Sequence, residues 1–278
     1  LVLVLGFLAG SPDSGRTLLG LTPLFGLDPA MHEGDRIVGP LTGLWFVVFV
    51  LPMFLLTPDF PSKRPVRQAL REGLRELRQT LGELPRRKSI ATFLLANMLY
   101  TDGLISLFAF GGIYAAGTFG ILLAIAGTFG AWMGGKLDDR FGPKRVIAGA
   151  LTVLLLASFT ILLVDRDSIL FIPVTPPQPG GALFASPAEK AYLVLGGLIG
   201  MMGGPLQAAS RSLLIRMAPK DRITQFFGLF ALTGKVTSFV GPLLIGIVTA
   251  TTASQKAGMS VIVVLFLMGL ALLTRVRG

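Results

Sequence analysis

Three ionisable residues, Asp102, Arg211 and Lys235, fall inside apolar stretches where charge is expensive. Out of water an ionised group costs free energy unless it is paired or faces an aqueous cavity, so such residues mark ion or solute pathways. Asp102 stands about eleven residues into the apolar block that opens near Ala91, and Lys235 about ten into the block that opens near Gln225. At roughly 1.5 Å per residue the two reach similar depth, near the middle of a bilayer. Asn97, Tyr100, Gln207 and Thr233 add hydrogen-bonding groups on the same blocks. Two readings stay open: a polar wall that contacts a solute or a proton, or a buried Asp102–Lys235 ion pair that only ties two helices. Arg211 has a further alternative, because a long cation near a helix end extends its head to the interface.

Other chemistries have little footing. The chain has no Cys, which excludes disulfides and thiolate metal sites, and its one His, His32, lies in a Gly/Pro/Asp-rich loop as a solvated residue. An enzyme needs a metal cluster, a nucleophile with a base, or paired carboxylates; the adjacent Asp138 and Asp139 belong to a turn described below. The formal charge of +10 would suit nucleic acid, but the cations sit in loops rather than on one basic face. The expectation is no enzyme, no nucleic-acid partner, no metal, and no cofactor beyond a coupled proton.

The elements that position these residues are membrane spans. Mean hydropathy is +0.73 and only 14% of residues are charged. The apolar blocks are long enough to cross a bilayer: Ile37–Thr57, Ala91–Ala116, Gly120–Leu137, Val146–Val164, Ala191–Met217, Gln225–Ala250 and Ala257–Thr274, after a stub at residues 1–10. The link at Ala115–Gly120 is unusually short, as if residues were missing there. Lys and Arg alternate by side. One side carries Lys63 to Lys88, then Lys136, Arg140, Lys144 and Arg145, then Arg216, Lys220 and Arg222, then Arg275 and Arg277; the other carries only Arg16, Arg36, Arg166, Lys190 and Lys256. By the positive-inside rule the first side, and the C-terminus with it, is cytoplasmic.

Between two of the blocks the chain reads Gly135-Lys136-Leu137-Asp138-Asp139-Arg140-Phe141-Gly142-Pro143-Lys144-Arg145, a charged hairpin too short to be more than a tight turn. It resembles the cytoplasmic-loop signature of the major facilitator superfamily, with Gly135, Leu137, Asp139, Arg140, Gly142 and Lys144 on the pattern positions and Pro143 a slight departure. A narrower likeness rests on Asn97-Met98-Leu99-Tyr100-Thr101-Asp102-Gly103, on Phe108-Ala109-Phe110-Gly111-Gly112-Ile113-Tyr114-Ala115, and on Gln207-Ala208-Ala209-Ser210-Arg211-Ser212 followed by Phe226-Phe227-Gly228. Together these resemble the branch related to autophagy vacuolar effluxers, whose fungal members are associated with amino-acid export from the vacuole. The short loops point to a bacterial member in the plasma membrane.

The resemblance implies an all-α polytopic membrane protein of major facilitator type, with two six-helix halves joined by a central cytoplasmic loop. The stretch Ser62–Lys88 fits that loop: Val66, Leu70, Leu74, Leu77, Leu81 and Leu84 form one apolar helical stripe beside Arg67, Arg71, Arg75 and Arg78. Such a helix lies either in the headgroup layer against anionic lipid or on the ends of the bundle. The expected organisation is the end of the N-terminal half over residues 1–57, an amphipathic linker over 58–90, and a C-terminal six-helix bundle over 91–278, a fragment that covers about the fifth to twelfth spans. In that arrangement Asp102, Lys235, Arg211, Asn97, Tyr100 and Gln207 border a central cavity. The signature residues Gly135, Asp139, Arg140, Gly142 and Lys144 act as a gate. Gly204-Pro205 and Gly241-Pro242 would weaken their helices beside the polar cluster as hinges, although the Gly196/Gly200/Gly204 series also suits small-residue packing.

The expected function is secondary transport of small polar solutes, amino acids among them, by alternating access and in the efflux direction. The expected partners are the lipid bilayer and a small-molecule substrate, with the oligomeric state open. A non-transporting receptor or scaffold with the same fold is the other class.

Overall fold

A computed structural model describes residues 4–10, 15–17, 19–58, 65–114, 118–165, 167–175 and 186–277. The chain forms two compact units, Leu1–Ala69 and Leu70–Gly278. The first holds a π-type turn at Val4–Leu8, a 3-10 turn at Leu24–Gly26, the short α1 (Glu33–Arg36) and α2 (Val38–Leu56). Gly34 is tight against the first turn, since a Cβ there would lie 2.7 Å from the Leu8 carbonyl oxygen. α2 has a mean hydropathy of 2.0 and no buried residue. A helix apolar all round with its side chains outward needs lipid or another helix around it.

The second unit contains α3 (Val66–Glu83, which enters it at Leu70), α4 (Lys88–Tyr114), α5 (Thr118–Phe141), α6 (Pro143–Leu162), α7 (Pro187–Met217), α8 (Ile223–Val236), α9 (Val240–Thr252) and α10 (Gln255–Arg275). Strands β1 (Ser168–Ile169) and β2 (Ile172–Pro173) pair antiparallel between α6 and α7. Six stretches among the described residues are long and apolar enough to cross a membrane: α2, α4, α6, α7, α8 with α9, and α10. α5 fills the remaining expected span with 24 residues. This is an all-α multi-pass membrane protein in contact with the bilayer. Of the short link at Ala115–Gly120, residues 115–117 lie outside the described residues and Thr118–Gly120 open α5.

Small residues set how closely the helices cross. A Cβ on Gly130 of α5 would collide with the Met201 carbonyl of α7, one on Gly134 would lie 2.7 Å from Pro205 Cα, and one on Gly204 would lie 3.0 Å from Ala131 Cβ. Such backbone-to-backbone approach is how helices gain dispersion contact where lipid is as apolar as the side chains. In the core of this unit Phe93, Leu151, Leu154, Leu206, Phe226 and Phe266 are fully buried, while Trp132, Phe159, Val264 and Leu267 are exposed. Ser186 starts α7 with a capping box: its hydroxyl accepts from the Glu189 N–H at 3.2 Å, and the Glu189 carboxylate accepts from the Ser186 N–H at 3.0 Å.

The charged hairpin is tighter than its sequence suggests. α5 continues through Lys136–Phe141 and α6 begins at Pro143, so Gly142 alone, at φ +82°, reverses the chain. A side chain is strained at that φ, whereas Pro143 suits the first helical turn. Gly135 is helical and does not take part in the reversal; Lys136, Asp139 and Arg140 after it are exposed on the last turns of α5.

α3 divides the amphipathic stripe between a packed and an exposed part. Leu77 and Leu84 pack against the core of the bundle, and Thr80, 1% exposed, hydrogen-bonds Gln225 at 3.4 Å. The Arg222 guanidinium donates to Glu83 at 2.6 Å, and Gln225 donates to Glu76 at 3.4 Å. Leu70, Leu74 and Leu81 remain exposed beside Arg71, Arg75 and Arg78. The second unit, starting at Leu70, therefore takes in most of the expected linker.

Candidate functional site

The eleventh expected span is not one helix. α8 ends at Val236 and α9 starts at Val240, so three residues, Thr237–Phe239, interrupt the backbone ladder just before Gly241-Pro242. Pro242 lacks an N–H and its ring displaces the carbonyl four residues earlier, which is the local reason for the break. Asp102, only 2% exposed on α4, faces this break, and the Thr237 hydroxyl lies 3.2 Å from its Oδ1, sharing its single proton between that oxygen and the Thr233 carbonyl at 3.1 Å. One turn further along α4, Ser106 is fully buried and its hydroxyl has no partner among the described residues. The two backbones nearly touch here: a Cβ on Gly241 would run into Ser106 Oγ and stand 2.9 Å from the Asp102 carbonyl oxygen.

Lys235 does not join this cluster. It is exposed and makes no ion pair with Asp102. Residues two apart on a helix point about 200° apart, so turning Thr237 toward α4 turns Lys235 away. The ion pair considered from the sequence is replaced by a hydroxyl-to-carboxylate bond.

The other candidates separate into a buried and an exposed set. Asn97, 3% exposed, and Tyr100, 1% exposed, are in the core. Ser210 Oγ donates to the Leu206 carbonyl at 2.6 Å, and its single proton is then used, so the Tyr100 hydroxyl donates to Ser210 across 2.7 Å. That bond joins α4 to α7. Gln207 and Arg211, four residues apart, share an exposed face of α7. The sequence reading missed Thr237 and Ser106; the four-residue step from Asp102 to Ser106 was the available signal for the second.

The signature residues divide likewise. Asp139 and Arg140 are exposed, while Lys144 Nζ donates to the carbonyls of Thr274 and Val276 and holds the end of α10. Asp138, half-buried, has Arg216 of α7 at 3.9 Å. Of the two Gly-Pro pairs, Gly204-Pro205 lies in an unbroken α7 packed on α5, and Gly241-Pro242 follows the break.

A bundle of apolar helices with a carboxylate buried at a helix break, and with the charged turn between α5 and α6, defines a membrane protein of the major facilitator type. Comparison with known proteins narrows this. A family model described as "Vacuole effluxer Atg22 like" matches residues 33–277, and the chain belongs to that family. It is similar to the "Uncharacterized MFS-type transporter YxiO" of Bacillus subtilis strain 168, with 22% identity over 84% of this chain and 51% of that one. It is also similar to "Autophagy-related protein 22" of Cryptococcus neoformans var. neoformans serotype D strain JEC21, with 24% identity over 98% of this chain and 48% of the relative. The chain thus spans about half the length of the curated relatives it matches. No solved structure matches it.

Proposed function

We propose that this chain is the C-terminal part, with the end of the N-terminal part, of a secondary transporter that exports small polar solutes, amino acids among them, by alternating access. The observation that carries this reading is Asp102, a carboxylate buried at the break between α8 and α9 with one hydroxyl donor. At the break the Ser238 N–H turns to the Lys235 carbonyl and the Val240 N–H to the Thr237 carbonyl, and helices interrupted in this way at bilayer depth border solute or ion sites in transporters. Asp102 with Thr237 and Ser106 binds a proton or the ammonium end of a solute. The exposed Gln207, Arg211 and Lys235 line the aqueous side, with Asn97 and Tyr100 supporting α4 from behind.

In this reading the Lys/Arg-rich end is cytoplasmic, the C-terminus included, and the membrane is a bacterial plasma membrane. Asp139 and Arg140 are exposed for contact with the other half when the inner side closes, and the α8–α9 break at Gly241-Pro242 is the point of bending. The Gly204-Pro205 step serves mainly as packing. The relatives carry names of transporters and effluxers, which supports a non-enzymatic role.

Counterflow of labelled amino acids into proteoliposomes, with the complete protein, tests the reading. Saturable counterflow is expected, strongly reduced in Asp102→Asn. Wild-type protein that is folded yet exchanges no solute from a broad screen would point to a receptor or scaffold instead.

A further inference from the structure

The second unit carries an open, solvent-facing groove of about 430 Å3 at its Lys/Arg-rich end. Five cations line it from three separate segments: Arg86 and Arg87 before α4 with Lys88 as its first residue, Arg216 in the last turn of α7, and Arg277 after α10. Its lining contains no carboxylate. The acid nearest in sequence, Glu83, is held by Arg222 at 2.6 Å, and Asp138 reaches only Arg216, at 3.9 Å. Arg86, Arg87, Lys88 and Arg277 make no ion pair among the described residues.

Cations in loops follow from topology alone, but topology does not require cations from three segments to converge on one groove. Here the backbone is pinned. Ser89, also in the wall, donates to the Arg277 carbonyl at 2.8 Å and accepts from the Arg277 N–H at 2.9 Å. Lys144 secures the same tail through the carbonyls of Thr274 and Val276, and Arg87 is placed 6.0 Å from the centre of the Phe226 ring. Five like charges held together repel one another until an anion neutralises them, and forked guanidinium groups match phosphate oxygens in pairs.

We propose that this groove binds a phosphate-bearing anion, either a soluble polyphosphate or a phospholipid headgroup. The occupant links the start of α4, the end of α7 and the tail of α10, three segments that enclose the bundle at one end, and so stiffens that end.

Thermal unfolding of the complete protein in nanodiscs tests it. Inorganic pyrophosphate is titrated in discs of neutral phosphatidylcholine, and discs containing phosphatidylglycerol are compared without it. A saturable rise of Tm with pyrophosphate identifies a soluble ligand, and a rise only with the anionic lipid identifies a headgroup. In either arm the double variant Arg86→Gln/Arg277→Gln should weaken the response by roughly tenfold or more. Arg71→Gln/Arg75→Gln, which removes equal charge from the exposed face of α3, should leave it unchanged. No Tm response in either arm, or equal losses in the two double variants, would overturn the site. If Arg86→Gln/Arg277→Gln fails to fold, Arg86→Lys in its place separates the fork from the charge: an undiminished pyrophosphate response in Arg86→Lys and in Arg277→Lys would overturn the proposal.

Discussion

Asp102 and Tyr100 lie two positions apart on α4 and are both buried, yet their bonds serve different ends. Asp102 accepts from Thr237 at the helix break; Tyr100 donates to Ser210 and fastens α4 to α7. Removing the Thr237 hydroxyl leaves a buried carboxylate oxygen short of a donor, which costs about 1–3 kcal/mol. Thr237→Ala should therefore impair counterflow along with Asp102→Asn. If Asp102 carries the coupled proton, net transport by Asp102→Asn should lose its pH dependence while some exchange survives, since exchange need not move protons. Tyr100→Phe should instead lower stability by about 1 kcal/mol and leave counterflow near the wild-type rate. Counterflow and thermal unfolding measured side by side on these three variants separate the roles; the same transport loss in Tyr100→Phe would mean that the α4–α7 bond belongs to the site.

At the scale of elements, α3 is docked by one edge. Its surface ion pair with Arg222 is partly exposed and contributes at most about 1 kcal/mol, so the apolar contacts of Leu77 and Leu84 hold it. Both leucines are only half-buried, and their truncation should cost less than the roughly 2–5 kcal/mol of a fully buried Leu→Ala change. Leu77→Ala/Leu84→Ala should release α3, seen as faster amide exchange over residues 70–83. Leu70→Ala/Leu74→Ala, on the exposed side, should leave the exchange unchanged. The stripe was legible from its three- and four-residue steps. Which of its leucines meet the bundle was not, because that depends on where Gln225 and Arg222 sit, more than a hundred residues later.

For the whole molecule, the alternation of basic loops makes a prediction about sidedness. The chain has no Cys, so single cysteines report without background. Gln79→Cys on α3 and Ile172→Cys in the hairpin after α6, both at exposed positions, should lie on opposite sides of the membrane. An impermeant thiol reagent applied to intact cells should label Ile172→Cys and spare Gln79→Cys. Labelling of Gln79→Cys alone would invert the orientation.

What the sequence determined by itself was everything that depends on local composition. Apolar blocks of bilayer length located the helices to within a few residues, because lipid requires each segment to satisfy its own backbone hydrogen bonds. The charged run from Gly135 to Arg145 located the turn between α5 and α6, which the structure narrows to Gly142, and an acid amid apolar residues marked Asp102 as costly and therefore purposeful. Tertiary structure alone decided the partners. The break after Val236 fixes a rotation that brings Thr237 to Asp102 and turns Lys235 outward; Ser210 meets Tyr100 across 110 positions, and three distant segments gather the cations of one groove. These pairings depend on how closely helices cross and how they rotate, and that is set by packing at seams such as Gly130 against Met201, where residues far apart in the chain choose one another by shape.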